Sequence, residues 1–275
     1  MRDIMKNGDN FFAGNERNII GHAATLIVSE AWKAVVERGR FTFVLSGGQS
    51  PAALYRKIAS GVEPELMRLH GIPVPEPPEA LHNERFVLPW HKTCIFWGDE
   101  RCVPADHPDS NYRMARETLL DAPGTGDAQV FRMPCDELPP GNAADRYENT
   151  IRSILGETET HETEPIPVFD VILLGLGEDG HTASLFPGDQ NALAESQRLV
   201  IAVKPSQARP PVPRLTMTLP LINNAKIICF FTSGKKRTAM AEAIRLRKAP
   251  YAWPANRVIP SNGIRFWFIA NPSTH

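Results

Sequence analysis

Short apolar runs alternate with longer amphipathic segments along most of this chain. The short runs predict β-strands at 41–45, 93–97, 169–174, 199–203, 226–232 and 265–269. Apolar residues spaced three and four apart predict helices over 18–38, 51–59, 111–120, 143–155 and 235–247. Because the two patterns alternate, we expect an α/β fold with a mainly parallel sheet flanked by helices.

Two segments interrupt this alternation. Residues 61–89 are rich in proline and show little periodicity, so we expect an irregular excursion between a helix and the next strand. Residues 156–165 are acidic and rich in threonine, which predicts a solvated loop. Neither segment has the features of a domain boundary, so we expect one domain over residues 1–275.

Composition narrows the class of protein. A hydrophobic fraction of 42% supports a substantial core, and a formal net charge of -1 provides no overall field for nucleic acid or anionic lipid. The four cysteines are scattered without a CxxC pair, which predicts reduced thiols and no structural zinc. No apolar run reaches the ~20 residues of a membrane span. The first residues lack the apolar stretch of a signal peptide, so we expect a cytoplasmic protein.

Glycine-rich and charged motifs follow the predicted strands. LSGGQSP, at 45–51, places paired glycines before a helix, where backbone amides favour an anion such as phosphate; a plain tight turn is the alternative. The motif is neither GxGxxG nor a Walker loop, which counts against nucleotides. WGDERCVP, at 97–104, offers carboxylates that could orient Arg101 toward an oxyanion, with an exposed salt bridge as the alternative.

GLGEDGHTASLFPG, at 175–188, is the motif richest in chemistry. Its glycines allow a sharp exit from the strand, and Asp179 is close enough in sequence to orient the imidazole of His181 as a general base. A histidine that caps a helix beginning near Thr182 explains the same residues, and the motif alone leaves both open. Further along, Arg214, Lys236 and Arg237 could neutralise a phosphate dianion, unless they form an ordinary charged surface.

The motifs SGGQSP, GDERCVP followed by SNYRMARETLL, GLGEDGHTASLFPG, PRLTMT and SGKKR occur in the order found in 6-phosphogluconolactonases. From about residue 18 to residue 269 the chain resembles that family. The resemblance implies a modified doubly wound, Rossmann-like sheet shared with glucosamine-6-phosphate deaminases. It also implies hydrolysis of 6-phospho-D-glucono-1,5-lactone in the oxidative pentose phosphate pathway, with no cofactor, no metal and no obligate protein partner.

The resemblance also implies residue roles. His181 would be the general base, Asp179 would orient it or the substrate, and Arg101 would supply positive charge near the ring or the developing carboxylate. The backbone amides of Gly47, Gly48 and Gly180 are candidate oxyanion donors. The expected substrate-binding residues are Ser46, Gly47, Gly48, Ser50, Asp99, Gly177, Gly180, Arg214, Lys236 and Arg237.

Departures from the family pattern are small. Gln49 and Ser50 replace the usual serine and threonine, Asn271 replaces an aspartate in what we take to be a structural position, and Arg237 stands where a lysine is common. The last change leaves open whether Lys236 or Arg237 meets the phosphate.

Two other functions remain as alternatives. An amino-sugar phosphate deaminase or isomerase of the same fold would carry DEY in place of DER, so Arg101 and residues 182–187 favour the lactonase. The second is a sugar-phosphate sensor without catalytic activity, against which the presence of His181 argues.

Overall fold

The computed structural model describes residues 3–4, 9–75, 77–156, 165–246 and 248–271. In chain order the strands are β1 (Asp3–Ile4), β2 (Asp9–Asn15), β3 (Phe41–Leu45), β4 (Leu81–His82), β5 (Arg85–Phe86), β6 (Thr93–Trp97), β7 (Asp99–Arg101), β8 (Gln129–Val130), β9 (Val171–Leu174), β10 (Val200–Val203), β11 (Arg214–Met217), β12 (Ile227–Ser233) and β13 (Ile264–Asn271). The α-helices are α1 (Glu16–Arg38), α2 (Ala52–Ala59), α3 (Pro64–His70), α4 (Asn111–Ala115), α5 (Pro140–Leu155), α6 (Gln190–Ala194), α7 (Leu219–Asn223) and α8 (Lys235–Arg245).

A doubly wound sheet forms the centre of the fold. Within the described residues it has eight strands in the order β1-β2-β13-β12-β9-β3-β6-β8, and all neighbours are parallel except β1 and β2. Chain order reverses between β3 and β9, because β6 and β8 extend the sheet on one side and β9, β12 and β13 on the other. At such a reversal a ligand crevice opens beside the carboxyl ends of the strands. The predicted α/β fold is therefore confirmed.

Burial explains the continuous apolar strands. All five residues of β3 and all five of β6 are buried, as expected where helices cover both faces of a parallel sheet. The longest helix, α1, begins at the cap residue Asn15, whose side chain accepts a hydrogen bond from the amide of Asn18, and ends at Gly39 in the left-handed conformation. By length and composition α1 could cross a membrane, but 67% of its most apolar window is buried inside the fold. It is a core helix here.

A second, smaller sheet lies beside the main one. Its three strands run antiparallel in the order β10-β11-β7, with Arg214 opposite Arg101 and Thr216 opposite Asp99. The predicted strand at 199–203 therefore forms, but outside the parallel sheet. Strands β7 and β11 were not predicted, because polar side chains occupy buried positions in both and hide the apolar periodicity.

The proline-rich segment is more regular than expected. Residues 61–89 contain α3 and a hairpin of β4 and β5, closed by pairing between Val62 and Phe86. Hydrogen bonds from Trp32 Nε1 to the Val87 carbonyl and from Ser29 Oγ to the Pro73 carbonyl attach the segment to α1. The expectation of an irregular excursion was therefore wrong, because proline at the start of α3 is compatible with a helix.

The other predicted elements agree with the structure to within a few residues. Helix α5 starts three residues earlier than predicted, and the predicted helix at 111–120 forms α4 and a π-helical segment at Arg116–Leu120. The end of the predicted helix at Arg247, most of the acidic loop at 156–165 and the side chain of Asn271 lie outside the described residues.

Candidate active site

Loops that leave the carboxyl ends of four adjacent strands converge at the chain reversal. They follow β3, β6, β9 and β12, and they carry the motifs singled out in the sequence. Ser50 Oγ lies 3.4 Å from Ser233 Oγ, which joins the first loop to the last. Ser184 Oγ donates to Asp99 Oδ2 over 2.6 Å, which joins the loop after β9 to β7. The structure thus brings the predicted motifs into one site.

The loop at 175–188 is held by its own hydrogen bonds. The Gly177 amide donates to the His181 carbonyl (2.8 Å), and Thr182 Oγ1 donates to the Gly175 carbonyl (2.8 Å). The Gly180 amide donates to the Gly177 carbonyl over 3.2 Å, so it is not free to stabilise an oxyanion as predicted. Gly180 has a φ of 84°, and a Cβ there would overlap the indole of Trp253. Both features require glycine at this position.

Asp179 and His181 form a close pair. Nδ1 of His181 lies 2.5 Å from Asp179 Oδ1, and the His181 amide donates to the same oxygen over 3.0 Å. Burial raises the pKa of the Asp179 carboxyl, but the hydrogen bonds and charge of His181 lower it by more, so this pKa lies below its usual value. An ionised carboxylate can only accept a hydrogen bond, so Nδ1 of His181 carries the proton that it donates. Nε2 is therefore the basic nitrogen.

His181 does not cap a helix. Residues 182–185 form a tight turn, closed by hydrogen bonds in both directions between Thr182 and Leu185. The next helix is α6, which begins at Gln190 and is capped by the side chain of Asp189. The capping interpretation of the histidine is therefore wrong, and its imidazole is available for chemistry.

Asp99 belongs to the framework beneath the site. Besides the bond from Ser184, its main-chain and side-chain oxygens accept from Asn111 Nδ2 over 2.8 and 3.3 Å, and the residue is only 6% exposed. Arg214 Nη1 donates to Ser184 Oγ over 3.4 Å and extends the network. Asp99 was predicted to bind substrate; the structure shows it holding β7, α4 and the loop after β9 together.

Glu100 also has a structural role. Its carboxylate accepts hydrogen bonds from the amides of Asn111 and Tyr112 and from Ser110 Oγ, at 2.8 to 3.1 Å, and so anchors the start of α4. Burial raises the pKa of this carboxyl above its usual value although these bonds oppose the change. Arg101 Nη1 donates instead to the carbonyl of Asp109 over 2.6 Å. The prediction that neighbouring carboxylates orient Arg101 was therefore wrong.

Two arginines form a positively charged corner. Arg101 and Arg214 lie opposite each other on β7 and β11, and the Nε atom of each is buried without a hydrogen-bond partner among the described residues. Arg214 is 3% exposed, and its Nη2 donates to the carbonyl of Arg209 over 3.0 Å. Burial lowers the pKa of Arg214, the charge of Asp99 opposes this, and the charge of Arg101 adds to it. An anion would relieve the repulsion between the two guanidinium groups.

The glycine loop after β3 is also closely packed. The Ser46 amide donates to the Tyr55 hydroxyl (2.8 Å), which donates back to the Ser46 carbonyl (2.7 Å). A Cβ at Gly47 would overlap the side-chain amide of Asn111, whose Oδ1 is buried and has no partner among the described residues. Gly48 has a φ of 87°, so it too favours glycine.

The two candidate phosphate ligands at the start of α8 differ in direction. Lys236 Nζ lies 3.0 Å from Glu178 Oε2, in the loop of the His181 pair, and its side chain is 77% exposed. Arg237 Nη1 donates to the Ser233 carbonyl over 3.3 Å. Lys236 therefore extends toward the loop that carries His181, whereas Arg237 turns back to its own strand.

Four residues at the site were not identified from the sequence: Tyr55, Asn111, Phe186 and Trp253. Each looks like an ordinary core or loop residue until the fold brings it against a residue of a motif or a charged group. Asn111 lies in the SNY segment, and its role depends on contacts that form only when α4 packs beside β7. Among the described residues, no group of three or more His, Cys, Asp or Glu side chains is placed to hold a metal ion.

Known proteins resemble this chain over almost its whole length. A 6-phosphogluconolactonase from Synechocystis sp. is 36% identical over 256 residues, which cover 93% of this chain and 92% of the relative. The structure of 6-phosphogluconolactonase from Trypanosoma cruzi is 29% identical, with a TM-score of 0.73 and coverage of 97% and 96%. That from Thermotoga maritima is 26% identical, with a TM-score of 0.72 and coverage of 95% and 99%. The family model of glucosamine-6-phosphate isomerases/6-phosphogluconolactonase matches residues 14–267, and the chain belongs to that family.

Proposed function

We propose that this protein hydrolyses 6-phospho-D-glucono-1,5-lactone to 6-phospho-D-gluconate, the second step of the oxidative pentose phosphate pathway. Near full-length similarity to 6-phosphogluconolactonases supports this substrate. The observation that carries the reaction is the 2.5 Å pair of Asp179 and His181 at the end of β9, beside the chain reversal.

The pair suits base-catalysed attack by water. His181 Nε2 takes a proton from water as the water oxygen bonds to the lactone carbonyl carbon. The resulting oxyanion is stabilised by the amides of Gly47 and Gly48 and by the charge of Arg101. When the bond from C1 to the ring oxygen breaks, the imidazolium returns its proton to that oxygen, which becomes the C5 hydroxyl. Asp179 keeps the imidazole oriented and stabilises its charged form throughout.

Arg214 and Lys236 both contact the loop that carries His181, and their positive charge suits a phosphorylated substrate. We assign the phosphate to Arg214 together with Lys236 rather than Arg237, because Lys236 extends toward the loop of the catalytic pair whereas Arg237 turns back to its own strand. The ion pair of Lys236 with Glu178 is exposed and therefore weak, so a dianion can replace it.

Replacement of His181 tests the mechanism. His181→Ala should lower kcat by roughly 10² to 10⁴-fold, while KM changes little and the protein still folds. Activity is followed as acid release from freshly generated lactone, with spontaneous hydrolysis subtracted at each pH. His91→Ala, an exposed histidine next to the amino end of β6, is the matched control. Retention of most of kcat by folded His181→Ala would remove the histidine from the mechanism.

The second candidate is an amino-sugar phosphate deaminase or isomerase, because the matching family includes glucosamine-6-phosphate isomerases. Ammonia release from glucosamine 6-phosphate faster than lactone hydrolysis would favour it. The third, a sensor without catalytic activity, would bind the phosphorylated lactone without hydrolysing it. We place both behind the lactonase because Arg101 and residues 182–187 follow the lactonase pattern.

A further inference from the structure

Phe186 contacts both charged centres of the site. Its ring stacks on the His181 imidazole, with centroids 4.2 Å apart and planes inclined by 23°. The guanidinium carbon of Arg214 lies 5.7 Å from the centroid of the same ring. Phe186 is 3% exposed, so one buried ring touches the proposed base and one proposed phosphate ligand.

The backbone fixes Phe186 relative to the second sheet. The preceding turn is closed by the hydrogen bond from the Leu185 amide to the Thr182 carbonyl (3.0 Å). The Ser184 amide donates to Thr216 Oγ1 on β11, two residues from Arg214, over 3.2 Å. The ring therefore stands at a set distance from β11, and so does any group that stacks on it.

Asp179 alone cannot fix the imidazole of His181. Its hydrogen bond restrains Nδ1 but leaves the ring free to tilt about that contact, and the His181 side chain is 31% exposed. A flat aromatic face on one side of the imidazole removes this tilt and directs Nε2 to one point. The same face attracts the guanidinium of Arg214 through a cation–π contact.

We propose that Phe186 is a positioning residue that sets the separation between the imidazole of His181 and the guanidinium of Arg214. The substrate assignment rests on the proposed function. In a phosphorylated lactone the carbonyl and the phosphate are separated by the bonds of a single molecule. A site that holds its base and its phosphate ligand at a matching separation binds this molecule in position for attack.

Phe186→Leu removes the flat ring and keeps most of the apolar volume. Phe186→Tyr keeps the ring and tests whether an aromatic side chain is enough to preserve activity and phosphate binding. The matched control is Phe41→Leu, because Phe41 is fully buried, stacks on Phe43 and lies at the opposite end of β3 from the site. For each variant we would measure melting temperature, kcat and KM on phosphorylated and unphosphorylated gluconolactone, and the affinity for inorganic phosphate by calorimetry.

Phe186→Leu should lower kcat on both lactones by about 10-fold or more, since both need His181. It should also raise KM for the phosphorylated lactone and weaken phosphate binding by about 10-fold, since both depend on Arg214. Phe186→Tyr should restore most of each value. Phe41→Leu should change the melting temperature alone.

A Phe186→Leu protein that loses only thermal stability, as Phe41→Leu does, would overturn the proposal. So would a fall in kcat with unchanged phosphate affinity, because the ring would then serve one group only. If Phe186→Leu fails to fold, Phe186→Met provides the same comparison. If the unaltered protein hydrolyses no lactone, the proposed function fails, and two readouts still decide the role of Phe186. These are phosphate affinity and the ring-current shift of the His181 protons in NMR spectra, assigned with His181→Ala.

Discussion

Gly177→Ala provides the sharpest test of the site, because a single methyl group would meet the proposed base. A Cβ built on Gly177 overlaps Nδ1 and Cε1 of the His181 imidazole, at distances that real Cβ atoms do not adopt. The φ of Gly177 lies outside the left-handed region, so alanine brings no backbone strain there. The three atoms nearest to that Cβ all belong to the His181 ring, so the substitution acts first on His181.

The magnitude follows from how the clash is relieved. The imidazole ends a side chain that can rotate, so it moves by roughly 1 Å and loses both the Asp179 contact and the stack on Phe186. A displacement of about 1 Å at a reacting group costs on the order of 10²-fold in rate, or about 2.7 kcal/mol in the barrier. Loss of the hydrogen bond lowers the free energy of unfolding by about 1–3 kcal/mol. We expect a large change in kcat and a drop of only several degrees in melting temperature.

The assay compares Gly177→Ala with Gly126→Ala. A Cβ at Gly126 meets no atom within 4 Å and its φ is also ordinary, so the control makes the same chemical change in open space. Initial rates on freshly generated phosphogluconolactone, less the spontaneous rate, give kcat, and thermal unfolding gives stability. If folded Gly177→Ala keeps kcat within about twofold of the unaltered enzyme, the reaction does not need the imidazole where the structure places it.

Three further predictions concern the phosphate, metals and pH. Arg214→Ala should raise KM for the phosphorylated lactone by about 10-fold or more and leave the poor turnover of unphosphorylated gluconolactone nearly unchanged; equal losses on both would contradict a phosphate role. Activity should survive exhaustive dialysis against EDTA, and loss that zinc or magnesium restores would refute this. Burial lowers the pKa of His70, so the unfolded chain binds a proton at this residue more readily than the folded protein does. The free energy of unfolding therefore decreases as pH falls below about 6.5, the ordinary pKa of histidine. His70→Phe should therefore lose less stability than the unaltered protein between about pH 7.5 and 5.5, measured as urea midpoints.

The parallel sheet could be predicted because its strands obey a simple rule. Strands such as β3 and β6 are buried on both faces, so they stand out as apolar runs between amphipathic helices. The second sheet breaks that rule. In β7, Asp99 and Glu100 are buried and hydrogen-bonded to groups ten or more residues away. Local sequence patterns do not reveal such distant partners, so the sequence of β7 is typical of a charged loop.

The same dependence on distant partners explains why only part of the candidate site could be predicted. Asp179 and His181 are two residues apart, close enough for their pairing to be expected from the sequence, and the structure shows the pair. Arg101 and Arg214 are far apart in sequence, and their proximity depends on the register of β7 and β11. Whether Lys236 or Arg237 acts with Arg214 could not be predicted either, because charge alone does not indicate in which direction each side chain extends.

The motif glycines make room for side chains of the protein itself rather than for a ligand. Gly47, Gly177 and Gly180 were expected among the substrate-binding residues. In the structure each leaves room for a side chain of the protein itself: Asn111, His181 and Trp253 respectively. Such contacts make the loops rigid, since a loop filled by neighbouring side chains has little space in which to move. A site that stabilises a short-lived oxyanion needs this rigidity, because donors already in place cost no reorganisation during the reaction. In the proposed mechanism the glycines therefore support catalysis through close packing rather than through flexibility.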